Sequence, residues 1–362
     1  MFTGNKGEWS EIYVFLKLLA DGKLNAANAN LEVLKSIYYP IIKIFREETY
    51  YGKKEYCLNG NIKIIDSLTN QILLEIKQKE FINKSILLLK KILEARGRSF
   101  TVAEIEDFLT KIKISSLTAK KTDKSDIRLV VHDLRTGLNP TLGFSIKSML
   151  GKNSTLFNPG NTTNFIYIID NEHLTNEQIN QINQINSKPV ISSRIKRIRQ
   201  LGADLKYFDI ESESLKLNLQ LIDSRLPEII GYLLIYNYEL SIHKSVDLLK
   251  KINLNNPIEY NQSYNHPFYE YKLKSFLTDS ALGMTPSSIW NGKYDATGGL
   301  IIVKQNGELV CYHIYNRNEF QEYLLNNTRF EQASITRYNF GKIYEEKGIY
   351  LIKLNLQVRF IN

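Results

Sequence analysis

A mixed α/β fold is what the sequence predicts: a central mixed sheet flanked by helices, with a further α/β region towards the C-terminal end. Three observations predict it. The first hundred or so residues carry apolar positions at helical spacing. From Asp126 the pattern changes to short runs in which apolar and polar residues alternate, the period of half-buried strands. Near Asn306-Gly307 two such runs flank a tight-turn pair, and helical and strand patterns then alternate to the end.

Asn5 and Glu8 form a capping-box pattern. Behind them Trp9, Ile12, Tyr13, Leu16, Leu19 and Ala20 share one helical face, and Asp21-Gly22 ends the helix. Further helix is expected around Ala26 to Phe45 and around Glu80 to Arg96. Another is expected within Ser99 to Lys113, with Thr101 as its cap. A polar loop from Lys120 to Ser125 follows. DIRLVVHD, the turn-rich RTGLNPT and LGFSIKS then predict a β-hairpin. NFIYIID is expected to be a third strand, and Thr175 to Lys188 a polar helix or linker. NEFQEYLLNN reads as helix and GIYLIKLNLQVRF as a last strand. A boundary near residue 225 divides the chain into 1–225 and 226–362.

Composition narrows the class. Hydrophobic residues make up 43 % of the 362, enough for a sizeable core and against wholesale disorder. Two cysteines, Cys57 and Cys311, are too few for a disulfide framework or a cysteine-based zinc site, so a reducing, cytoplasmic location is expected. The N-terminal residues lack the apolar stretch of a signal peptide, and IIGYLLIY is far too short to span a bilayer. The formal charge of +9, from 47 Lys and Arg against 38 Asp and Glu, suits a polyanionic partner and equally suits a Lys-rich coding habit. The five histidines show no metal-ligand spacing.

Lys147 is the residue that asks for an explanation, because lysine is depleted in strands. On an edge strand it would guard against aggregation. Beside carboxylates it has a second use. Acids hold a divalent ion on a phosphate, while the lysine orients the attacking water and offsets charge. That use needs an acid on the neighbouring strand, on the face of Lys147. Ile127, Leu129 and Val131 are apolar while Asp126, Arg128 and His132 lie opposite; Phe144 and Ile146 are apolar while Ser145 and Lys147 lie opposite. Matching apolar faces puts Asp126 with Ser145 and Lys147 and leaves Asp133 to close the turn. Ser145 occupies a position where a second acid would serve, and a hydroxyl places water better than it binds magnesium. Glu8 and Glu11, in the first helix, are the carboxylates available to complete the ligand set. For Glu8 a capping role is the competing reading.

The chain resembles HpaII-type restriction endonucleases of the PD-(D/E)XK nuclease superfamily, nearly end to end. The resemblance rests on GNKGEWSEIYVFLKLLADGK, KSDIRLVVHD, LGFSIKSMLG, STLFNPGNTTNF, LGMTPSSIWNGKYDATGGLIIVK, CYHIYNRNEFQEYLL and KLNLQVRF, all in order. It implies a PD-(D/E)XK-like core and magnesium-dependent hydrolysis of double-stranded DNA at CCGG, with Asp126 and Lys147 carrying the active-site pattern. Ser145 departs from that pattern. A palindromic target favours a two-fold homodimer, and restriction implies a cognate DNA cytosine methyltransferase as genetic partner. Arg194, Lys196, Arg197 and Arg199, clustered within six residues, are expected along phosphates, or on a solvated helix face. Residues 226–362 are expected to read the target, with Gln357 and Arg359 in the final strand among the residues suited to it. A single-strand repair nickase and a basic DNA-binding protein without chemistry are the rival readings.

Overall fold

The computed structural model describes residues 1–120, 125–170 and 174–361. Lys121, Thr122, Asp123 and Lys124 of the polar loop, and His173, lie outside the described residues. The first helix, Lys6–Asp21, has the expected capping box: Asn5 accepts from the backbone of Gly7 and Glu8, and Glu8 accepts from the Asn5 N–H. Gly22 closes it with φ 66°, a left-handed turn that glycine adopts at no steric cost. Helices Gln78–Glu94 and Ala103–Lys111 follow, the second capped from Val102 rather than Thr101.

The stretch Ala26 to Phe45 is not helical. It contributes strands Lys23–Ala27 and Val33–Glu48. β-Branched and aromatic residues crowd a helix but suit a pleated surface, and Pro40 breaks any helix through this region. These strands belong to a nine-stranded mixed sheet. Its order is Lys23–Ala27, Leu309–His313, Gly299–Val303, Thr141–Ser148, Ile127–Val131, Val33–Glu48, Gly52–Asn59, Asn61–Asp66, Ile72–Lys77. Lys23–Ala27 also pairs with Val33–Glu48, so six of the nine strands close into a ring.

Two hydrophobic clusters share this sheet. One packs the first helix against Leu129, Val131, Phe144 and Ile146. The other gathers helices Val190–Gln200, Leu226–Leu240 and Phe268–Leu282 with a four-stranded sheet containing Asn164–Asp170 and Ile349–Asn355. Gly299–Val303 is covered on both faces: Ile301 and Val303 enter the first cluster, Leu300 and Ile302 the second. The hairpin expected at Asn306-Gly307 joins this strand to Leu309–His313. The C-terminal run forms two strands, Ile349–Asn355 and Val358–Phe360. Among the described residues no helix is long and apolar enough to cross a membrane.

Candidate active site

The site is built by register. Ile127 pairs with Phe144 and Arg128 with Gly143, antiparallel, so Asp126, the residue before the strand, lies beside Phe144 to Ile146. The Asp126 N–H donates to the Phe144 carbonyl at 2.8 Å. Its Oδ2 accepts from the Ile146 N–H at 2.7 Å and from the Ser145 hydroxyl at 3.2 Å. A charged acceptor held by a backbone N–H makes a strong, fixed bond. Gly143 permits this closeness: an added Cβ would meet the Asp295 carbonyl oxygen at 2.8 Å and Ser125 Cβ at 2.9 Å.

Thr141–Ser148 is a central strand, parallel to Gly299–Val303 on one side and antiparallel to Ile127–Val131 on the other. The edge-strand reading of Lys147 is therefore overturned. Asp126, Ser145 and Lys147 line one cavity of about 340 Å³. Its far wall comes from Thr155 and Asn158, from Ser280 at the end of Phe268–Leu282, and from Met284 and Ser287. In that helix Ser275 and Thr278 donate to the carbonyls four residues earlier, at 2.9 and 2.7 Å. The buried Ser280 hydroxyl has no hydrogen-bond partner among the described residues. Thr155, Asn158, Ser280, Met284 and Ser287 have no signal in periodicity or charge. Four of the five sit inside blocks that carry the family resemblance; Ser280 lies just before one.

Asp133 is buried at the hairpin end. It accepts from the Arg135 N–H and the Thr136 hydroxyl, each at 2.9 Å. The Arg135 N–H and Thr136 hold its carboxyl below the usual carboxylate range, against the opposing effect of desolvation. Beyond it His313 stacks on Tyr39 at 4.8 Å, and burial pushes its imidazole down to about 4.

The other expected residues scatter. Neither Glu8 nor Glu11 lines the cavity; both are half-buried on the first helix, whose Ser10 hydroxyl donates to Ser148 Oγ at 2.8 Å. Arg194 is 3 % exposed and donates to the carbonyls of Gly341, Asn183 and Ile185. It ties chain segments together and is no surface cation. Arg199 is engaged by Glu239 and Asp204. Lys196 is exposed and Arg197 half-buried on the same helix. Gln357 is buried, while Arg359 lies within 3.5 Å of Glu331.

The profile of the HpaII restriction endonuclease family matches residues 5–360. The chain is 45 % identical to the type II restriction enzyme HpaII of Haemophilus parainfluenzae, over 99 % of each chain. No solved structure gives a significant match. With matches that run the whole length, this chain belongs to the HpaII restriction endonuclease family and is a type II site-specific deoxyribonuclease.

Proposed function

We propose that this enzyme hydrolyses duplex DNA at CCGG, with magnesium, in the cavity shared by Asp126, Ser145 and Lys147, on a core of PD-(D/E)XK type. The observation that carries the reading is that shared cavity. An acid and a lysine from neighbouring strands open on one space, backed by a hydrophobic cluster on the opposite face.

Magnesium takes oxygen ligands and keeps several waters, completing its shell from one or two carboxylates and substrate phosphate. The described lining meets that demand in part, with one carboxylate and no cluster of three or more acids, His or Cys around it. Asp126 supplies a carboxylate. The Ile146 carbonyl lies on the strand edge from which its N–H reaches Asp126, because both groups of an extended residue face the same edge. Glu8 or Glu11 is the carboxylate we propose as the second acid. When bound, the ion polarises the phosphate and neutralises developing charge.

Asp126 is held in place by the Ile146 N–H and the Ser145 hydroxyl, within the cavity it shares with Lys147. Lys147 lies two residues beyond Ser145 on the same face, about 7 Å along the strand. Its ammonium donates to the attacking water and to the phosphorane oxygens, where negative charge grows most. The Ser145 hydroxyl fixes the carboxylate and orients water.

We assign the nuclease core to the nine-stranded sheet and the first helix, with Gly299–Val303 and Leu309–His313 returning to complete that sheet, and target recognition to residues 226–362 outside those two strands; Asn164–Asp170 and Val190–Gln200, although before residue 225, pack with the second cluster. A palindromic target is met by a two-fold homodimer, acting in the cytoplasm beside a cognate cytosine methyltransferase. Incubation with plasmid and magnesium tests the reading. Discrete fragments ending within CCGG are expected. Open circles would mean a nickase, and unchanged supercoil a binding protein.

A further inference from the structure

We propose that Arg359, Arg329 and Lys244 form a cationic track that carries the DNA backbone away from the catalytic cavity. Four chain segments lie side by side. Thr155, in the cavity wall, pairs with Arg359. Arg359 pairs with Arg329, and Arg329 forms a bridge with Lys244. Directly opposed residues on antiparallel neighbours point to the same face. The four side chains therefore form one row, with its polar uncharged end at the cavity and three cations beyond it. Neighbouring strands are about 5 Å apart, so the cations span about 10 Å.

Like charges directly opposite one another destabilise a sheet. One carboxylate offsets them: Glu331 accepts from Arg329 Nη2 at 2.8 Å and lies 3.5 Å from Arg359 Nη1. Two guanidiniums and an ammonium against one carboxylate leave the row cationic. The Arg329 and Arg359 side chains are 38 % and 30 % exposed, and Lys244 is exposed. Guanidinium groups in that state match phosphate oxygens. Duplex DNA, with a charge about every 1.7 Å of axis, is the polyanion such a row fits. The row rests on the catalytic reading only for where it starts.

Equilibrium binding of the metal-free enzyme to a CCGG duplex, titrated with salt, tests the track. Arg329→Gln and Arg359→Gln should each reduce the slope of log K against log salt by about 0.9, with melting temperature unchanged or raised. Arg329→Lys and Arg359→Lys should keep the slope. Lys244→Gln, at an exposed position, covers the case in which an arginine variant does not fold, and should also reduce it. Wild-type slopes in the glutamine variants would overturn the track, as would a loss of slope that only follows a loss of folded protein. That result leaves the catalytic site untouched, whereas an active Asp126→Asn would sink the site and leave the track.

Discussion

The Ser145 hydroxyl donates to Asp126 Oδ2 at 3.2 Å, across the pair of strands that carries the site. The Ile146 N–H reaches the same oxygen at 2.7 Å, so Asp126 keeps one strong anchor without Ser145. Ser145→Ala should therefore weaken cleavage at saturating DNA roughly tenfold, the loss of about one hydrogen bond, with the DNA Kd unchanged. Single-turnover rates beside binding isotherms decide this. A rate equal to wild type would remove Ser145 from the site.

Lys147 is proposed to act on the attacking water and the reacting phosphate. Lys147→Ala should cut the cleavage rate at least about 100-fold, the scale of losing one preorganised donor, and leave target binding intact. Filter binding and plasmid digestion on one preparation measure both. Wild-type cutting would refute the assignment.

Glu8 and Glu11 separate capping from metal binding. Glu8 accepts from the Asn5 N–H at 2.8 Å, so Glu8→Ala should cost on the order of 1 kcal/mol of stability. Glu11 is outside the capping box, so Glu11→Gln tests the metal reading there, with the melting temperature measured beside activity. The one that holds the ion should lose activity by orders of magnitude on conversion to Gln, relieved in part by more magnesium. Full activity in both glutamine variants would place the second ligand elsewhere.

His313 gives a pH test. Burial holds its folded pKa near 4, while Asp133 raises it and Arg135 lowers it. An unfolded imidazole titrates near ~6.5. The unfolded chain therefore binds the extra proton first, and stability is lost as pH falls from about 6.5 towards the folded value. The loss approaches roughly 3 kcal/mol below it. Urea unfolding from pH 7 to 4 should show this slope in wild type and a weaker one in His313→Phe. Equal slopes would mean the imidazole is not the titrating group.

The hairpin of the site was legible because both strands alternate cleanly, so Ile127, Leu129, Phe144 and Ile146 fixed the face of Asp126, Ser145 and Lys147. Val33, Leu34, Ile37, Tyr38 and Ile41 misled, because their spacing also fits a helix. Pairing with residues far along the chain, such as Val131 opposite Ile41, outweighed that local pattern. The cluster around Arg194 could not be sorted by charge, since a buried arginine bonded to carbonyls and a surface one look alike in sequence. The far wall of the cavity was hidden for a simpler reason. Thr155 and Ser280 are brought to Lys147 by the fold, with no local pattern linking them.

Asp126 and Asp133 stand seven residues apart, about 20 Å along a strand, so one ion cannot engage both. Asp126 opens on the cavity, whereas Asp133 is taken up by the Arg135 N–H and Thr136. Purified Asp126→Asn and Asp133→Asn, assayed on one CCGG plasmid across a magnesium titration, test the central claim most directly. Asp126→Asn should bind its target and fail to cut at any magnesium concentration, while Asp133→Asn melts earlier and cuts when folded. An active Asp126→Asn beside a well-folded, inactive Asp133→Asn would contradict the account and move the chemistry to the other end of the hairpin.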